Sequence, residues 1–372
     1  MDIHFATNRN ILKETPSSAE FGERFDESGP QFFRVGVADV VQVGPDPTAD
    51  DGYAVRGKRL YSEKPARRGG PLVRASQGMF EELRQQLKDD ERDVLVYLHG
   101  FANDFDNSIM RAAALQTLYA QRSDPGEPDP IVFVFAWPSN GKTFPATEYF
   151  SDRDDAQMSG LAMARALIAL IDFMVSVFRD DRQTILDARE AGRVPTSDEL
   201  KCCGQRLNLI AHSMGNWALR HAVLSLHRQL GKRPLPRLFK NALLVAADED
   251  DDALGDDEKL GMLSELAQSI HVYHSTDDRA LQISDVTKLN PNRLGTDGPS
   301  DLPRLTPRVF TVDCSLVDET ILEHGCHQYY RIRREVIDDI KAIISGTPPD
   351  RIDPTRRQVI RPGRSWRLLP LT

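Results

Sequence analysis

The chain has 372 residues, 40% hydrophobic and 28% charged, a globular balance that excludes disorder over most of its length and allows a core without disulfides or metal. Lys plus Arg number 47 against 56 Asp plus Glu, a formal charge of −9. That is the wrong sign for a protein that neutralises phosphates, so no nucleic-acid partner is expected.

In chain order, residues 2–6 and 32–43 read as strands and 77–88 as a helix, an irregular extension of a sheet over residues 1–92. From Asp93 on, short runs rich in Val, Ile and Leu alternate with helical segments, the pattern of a parallel sheet covered on both faces. Strands are predicted at 94–98, 131–136, 207–211, 242–247, 270–273 and 308–312. Helices are predicted at 107–121, 157–178, 214–230, 260–267 and 329–344. Together they imply one doubly wound α/β domain over residues 1–347, its core at 93–347.

The Pro- and Gly-rich stretches 123–130 and 290–307 read as surface loops. The most apolar run, 161–178, is interrupted by Arg165 and Asp172, which suits a buried helix better than a membrane span. Residues 348–372 form a tail with Arg351, Arg356, Arg357, Arg361, Arg364 and Arg367, expected to pack along the domain or fray, or else to act as a docking arm. Cys202, Cys203, Cys314 and Cys326 show no C-x-x-C or zinc-finger spacing and are expected as reduced thiols. The first residues lack the cationic start and apolar stretch of a signal peptide, so a cytoplasmic location is expected.

The strongest chemical signal is the strand 207–211 running through His212 into Ser213-Met214-Gly215 and a helix. A serine on such a turn needs small residues two before and two after it, and Ala211 and Gly215 meet that requirement. A serine hydroxyl needs a histidine to take its proton and a carboxylate to fix that histidine's tautomer, in the chain order Ser, acid, His. His324 and His327 follow late enough, and His327 is favoured because it stands at the start of the last helix. The acid belongs in the loop after 270–273, where Asp278 is favoured over Asp277; Asp248, after the preceding strand, is a third candidate. For the oxyanion, donors are expected at the backbone N–H of Met214 and at that of Phe101, or of Ala102 if the His99-Gly100 turn is shifted by one.

His212, Trp137 and Phe105 are candidates for the substrate pocket, with Phe101 and Phe144 beside them; core packing suits Trp137 equally. The run Asp248-Glu249-Asp250-Asp251-Asp252 begins like a calcium loop, but Ala253 and Lys259 stand where glycine and glutamate are needed. A solvated acidic loop is expected instead, repelling anions from the strand ends. No metal and no cofactor are expected.

These pieces resemble bacterial α/β hydrolases catalogued as a domain of unknown function, whose members are usually described as predicted esterases. The resemblance rests on Ala6-Thr7-Asn8-Arg9, Leu98-His99-Gly100-Phe101 with Asn103, Phe135-Ala136-Trp137-Pro138-Ser139, Ala211 to Gly215, Asp248, the stretch 275–281 and His327-Gln328-Tyr329-Tyr330. It implies an α/β-hydrolase fold and Ser213, Asp278 and His327 as a triad, and favours His327 over His324. Two departures are Ala211 at the serine turn and Ala247 where proline usually precedes Asp248. The expected activity is hydrolysis of a small, neutral carboxylic ester through an acyl-serine. A thioesterase, lipase or amidase uses the same residues, and a non-catalytic interaction protein on this fold is the alternative of another class. The oligomeric state is not legible.

Overall fold

The computed structural model describes every residue except 16–17, 62–63, 66–71, 91, 121–129, 143–146, 202–203, 283–291, 319–324 and 372. His324, Phe144, Cys202 and Cys203 lie outside the described residues. The strands are β1 (Asp2–Thr7), β2 (Arg9–Thr15), β3 (Ser18–Phe25), β4 (Arg34–Gln42), β5 (Tyr53–Leu60), β6 (Lys64–Pro65), β7 (Leu72–Val73), β8 (Val94–Leu98), β9 (Ile131–Phe135), β10 (Leu207–His212), β11 (Phe239–Val245), β12 (Ala267–His274), β13 (Val309–Asp313), β14 (Arg357–Arg361) and β15 (Ser365–Leu368). The long helices are α1 (Ala75–Asp90), α2 (Phe105–Leu118), α3 (Thr147–Glu190) and α4 (Gly215–Gln229), followed by the last helix, Arg334–Ile344.

One 11-stranded sheet runs in the order β14-β15-β13-β12-β11-β10-β8-β9-β1-β4-β5. Neighbours from β15 to β1 pair in parallel, while β14, β4 and β5 add antiparallel edges. The central strands are buried on both sides, which explains their unbroken apolar runs. Along β10, Leu209 and Ala211 join the core under α1, α3 and α4, and Ile210 joins the core under α2 and the last helix. Strand order reverses around β8, with β9 on one side and β10 on the other. The crevice outside the carboxyl ends of strands at such a reversal is where open α/β sheets bind ligands.

Three expectations are corrected. The helix expected at 157–178 extends over Thr147–Glu190, and of residues 161–178 only Ala162, Met163, Ala164 and Val177 are buried. Small residues let its first half press on α4, whereas Leu161, Val175 and Phe178 remain exposed. By length and composition this helix could cross a membrane, so its apolar run reflects a half-covered face and not complete burial. The stretch from 292 on is not a surface loop, since Arg293 and Leu294 are fully buried and Gly295 bonds the backbone of Ala247 and Ser275.

The arginine-rich tail is neither frayed nor an arm: β14 and β15 close one edge of the sheet. Arg357 meets Asp339 through two bonds of 2.6 Å with both side chains 2% exposed, and Tyr273 donates to the same carboxylate at 2.7 Å. Arg367 pairs with Asp313 at 2.7 Å, and Arg364 donates to the carbonyls of Leu302, Thr306 and Val309. Removing one partner of a buried pair strands the other charge at a cost of about 3–5 kcal/mol. Arg357→Met should therefore lower unfolding stability in denaturant titrations by that amount, while Met at exposed Arg361 stays within about 0.5 kcal/mol of wild type.

Candidate active site

Among the described residues, the non-glycine residues Ala102, Ser213 and Ala246 have positive φ just beyond the carboxyl ends of β8, β10 and β11, and Cys326 has it in the loop after β13. Strained backbone concentrates at functional sites because the surroundings must impose it. Ser213 has φ +54 between β10 and α4. Its N–H donates to Val245 O at 3.0 Å, and its carbonyl accepts from the backbone N–H of Asn216 and Asp248 and from the Asn216 amide. The turn also needs close neighbours to be small. A Cβ on Gly215 would lie 2.5 Å from Leu98 O and 2.7 Å from His99 O, and one on Gly100 would lie 2.8 Å from the Ser213 Cβ.

The loop after β8 is held from several directions. Asn103 donates to the carbonyls of Gly100 and Phe101 at 3.0 and 2.9 Å, and its own carbonyl accepts from Arg9 at 2.9 Å. Arg9 is fully buried, and desolvation pushes its guanidinium down to about 10, which leaves it cationic at neutral pH. Ser139 accepts from Asn103 N–H at 2.9 Å and donates to Asp152. Ala102 N–H also points to Asp152, 3.4 Å away. The N–H groups of Phe101 and Met214 make no hydrogen bond among the described residues. Asn103, Ser139, Asp152 and Arg9 brace this turn from four separate segments; the matching pieces of the resemblance contained three of them with no role attached.

Asp278 and His327 meet in the loops after β12 and β13. His327 Nδ1 lies 2.6 Å from Asp278 Oδ2, with the carboxylate fully buried. The other carboxylate oxygen, Oδ1, accepts from Leu281 N–H at 3.0 Å, so Asp278 also caps the short turn that follows it. A bond from Arg279 N–H to Gly325 O, 2.9 Å, ties the two loops. Because a carboxylate only accepts, Nδ1 carries the proton and Nε2 keeps its lone pair. His212 completes the arrangement: its Nε2 donates to His327 O at 3.0 Å, and its ring stacks on Tyr330. Burial and then the neighbouring His327 hold the His212 imidazole far below its ordinary value, hence neutral. The residue before Ser213 thus grips the His327 backbone.

Other candidates fall elsewhere. Trp137 is fully buried, stacked on His99 with ring centroids 4.8 Å apart and donating to His99 O at 2.9 Å. Phe105 packs on Phe5 and Phe21 in the opposite core. Both are corrected to core residues, since neither ring presents a surface to a ligand; His212 is 3% exposed and acts through His327. Asp248 is engaged by Tyr149 at 2.5 Å, Arg153 at 3.5 Å and Arg293 at 3.6 Å, apart from the His327 loop. The acidic run is therefore not uniformly solvated: Asp248 and Glu249 are 1% exposed, and Arg220 and Lys259 pair with Glu249 and with Asp250 and Asp252. Among the described residues no group of three or more His, Cys, Asp or Glu side chains is placed to hold a metal.

A mostly parallel sheet wrapped by helices, with a serine turn after one central strand, defines an α/β hydrolase. Residues 76–174 and 200–338 match the family described as alpha/beta hydrolase of unknown function (DUF900), and the chain belongs to that family. No curated protein and no solved structure matches.

Burial raises the Glu249 carboxyl to about 7, an effect that Arg220 and Arg153 only partly oppose. The folded state therefore holds this proton over a range where the unfolded chain, near 4.3, has lost it. Stability should fall as pH rises from 5 through 7, and Glu249→Gln should flatten that part of the profile in thermal melts.

Proposed function

We propose that this protein is a serine hydrolase that cleaves small, neutral carboxylic esters through an acyl-serine intermediate, without a cofactor. The observation that carries the reading is the buried Asp278–His327 pair, gripped by His212, the residue next to a serine in a left-handed turn. In this mechanism the Ser213 hydroxyl attacks the ester carbonyl while His327 Nε2 takes its proton. The N–H groups of Phe101 and Met214 donate to the oxyanion, each in a turn whose neighbours already fix it. Collapse expels the alcohol, which takes the proton from His327, and water repeats the sequence on the acyl-serine.

Several features support the remaining assignments. Cys314 and Cys326 are buried, and the proposed cytoplasmic location takes them as reduced thiols. The preference for neutral esters rests on Asp252, Asp257 and Glu258, the carboxylates of the acidic run that stay in solvent. Screening over about 8 Å at 0.15 M salt limits their reach. A neutral ester should be turned over faster than its succinate-type analogue at low salt, with the difference shrinking at high salt; equal rates at low salt remove this preference.

A fluorophosphonate probe should label wild type at Ser213, and Ser213→Ala should lose both labelling and ester turnover while melting like wild type. Nitrophenyl esters, thioesters and anilides of matched acyl length decide the bond class. Asp278→Asn should lower kcat by roughly 10⁴, the loss expected when the tautomer-fixing carboxylate goes, whereas Asp248→Asn should lower stability more than kcat. Full turnover by folded Ser213→Ala, or a larger kcat loss from Asp248→Asn, overturns the assignment.

A further inference from the structure

A cavity of about 210 Å³ lies between α1, α3 and the sheet. Its walls include Phe80, Leu83, Leu167, Leu170 and Phe173, with Val94, Val96, Phe133 and Leu209 from the strands. None of Ser213, Asp278 and His327 lines it. Helices flank it, and its walls away from the charged end are apolar, which suits an alkyl chain. Among the described residues, the charged side chains on its lining are Arg84, Lys201 and Arg206, all cationic.

These three gather where β8 and β10 begin, the end of the sheet opposite Ser213: Arg206 directly precedes β10, and Arg84 donates to Lys201 O at 3.1 Å. Their carboxylate partners, Glu81, Asp180 and Asp93, are outside the lining. Glu81 and Asp180 are about half exposed, so their pairs contribute little and Arg84 and Lys201 can turn to a ligand at small cost.

We propose that this slot binds a free single-chain fatty carboxylate, its alkyl tail against α1, α3 and the strands and its headgroup at Arg84, Lys201 and Arg206. Charge complementarity selects the carboxylate, and the volume, about seven times the roughly 30 Å³ share of one water, selects a tail of medium length. The site is separate from the proposed catalytic one, so the proposal stands whether or not Ser213 is a nucleophile.

Calorimetric titration with hexanoate, octanoate and decanoate tests it. Affinity should rise about fourfold per added methylene, the increment for burying one CH₂. Decanol should bind at least tenfold more weakly than decanoate. Ala166→Trp, which fills the slot, should abolish binding, and Arg84→Gln with Lys201→Gln should weaken it tenfold while leaving the thermal melt intact, a check that remains if the tryptophan variant fails to fold. Protein blocked at Ser213 with fluorophosphonate should bind decanoate as before. Binding that survives in folded Ala166→Trp, or disappears on blocking Ser213, overturns the proposal. So does decanoate taken up only when presented in phosphatidylcholine vesicles, which indicates a membrane surface, or a dimer that Ala166→Trp disperses, which makes the slot an interface between copies.

Discussion

The left-handed backbone at Ser213 sets the conditions that the sheet around it has to meet. For an L-residue that conformation costs roughly 1–2 kcal/mol, and it persists because both backbone groups are engaged across strands. The N–H is taken by Val245, and the carbonyl by Asn216 and Asp248. Bonds of this kind contribute about 1 kcal/mol each, enough to offset the strain only if β10 sits between β8 and β11 in one register. Ala211 opposite Leu98 and His212 opposite Val245 define it. A slip of one residue would turn Leu209 and Ala211 from one core into the other and carry Gly215 away from the Leu98 carbonyl it must approach. Packing on both faces thus fixes the turn.

Assembly of the site is correspondingly non-local. Asp278 and His327 come from strands lying beyond β11, and their loops are joined to each other and to β10 by the Arg279–Gly325 and His212–His327 bonds. Behind them, Tyr329 donates to Tyr273 O while receiving the N–H of Ala246, another residue of positive φ. The β14–β15 hairpin matters for the same reason, because it covers β13, which would otherwise be an open edge next to the His327 loop. Its buried Arg357–Asp339 pair anchors that edge to the last helix. The geometry at the serine therefore depends on segments as distant as the C-terminal strand.

What could be read from the sequence divides along physical lines. The buried parallel strands were legible because burial on both faces leaves only apolar, β-branched runs, and the serine turn because its small flanking residues are sterically required. The β2–β3 hairpin and β5 were not: Arg, Lys and Glu crowd their exposed faces, and their alternation is too broken to show a period of two. The helix Arg334–Ile344 was found, but a break at Arg333, with ψ +119, separates it from the turn Tyr329–Ile332. Charged residues misled most. Arg357, Arg364 and Arg367 look like a solvated tail until Asp339, Asp313 and three carbonyls are brought to them, and Asp248 looks exposed until Arg153 and Arg293 arrive from distant segments. Sequence shows a charge and not its partner.

That partnership also separates Asp248 from Asp278, two of the three aspartates that the sequence left in competition. Asp248 faces two guanidinium groups and the Tyr149 hydroxyl. Its charge is already compensated, and an imidazole beside it would gain little. Asp278 is fully buried, with one backbone donor and the His327 ring as its hydrogen-bond partners. A carboxylate so placed interacts most favourably when the ring gains a second proton. In the proposed mechanism this is the moment at which Ser213 attacks, so the stabilisation falls on the transition state and not on the resting site. The arginines around Asp248 serve the fold; no guanidinium pairs with Asp278 among the described residues, which in the proposed mechanism leaves its charge to the His327 ring.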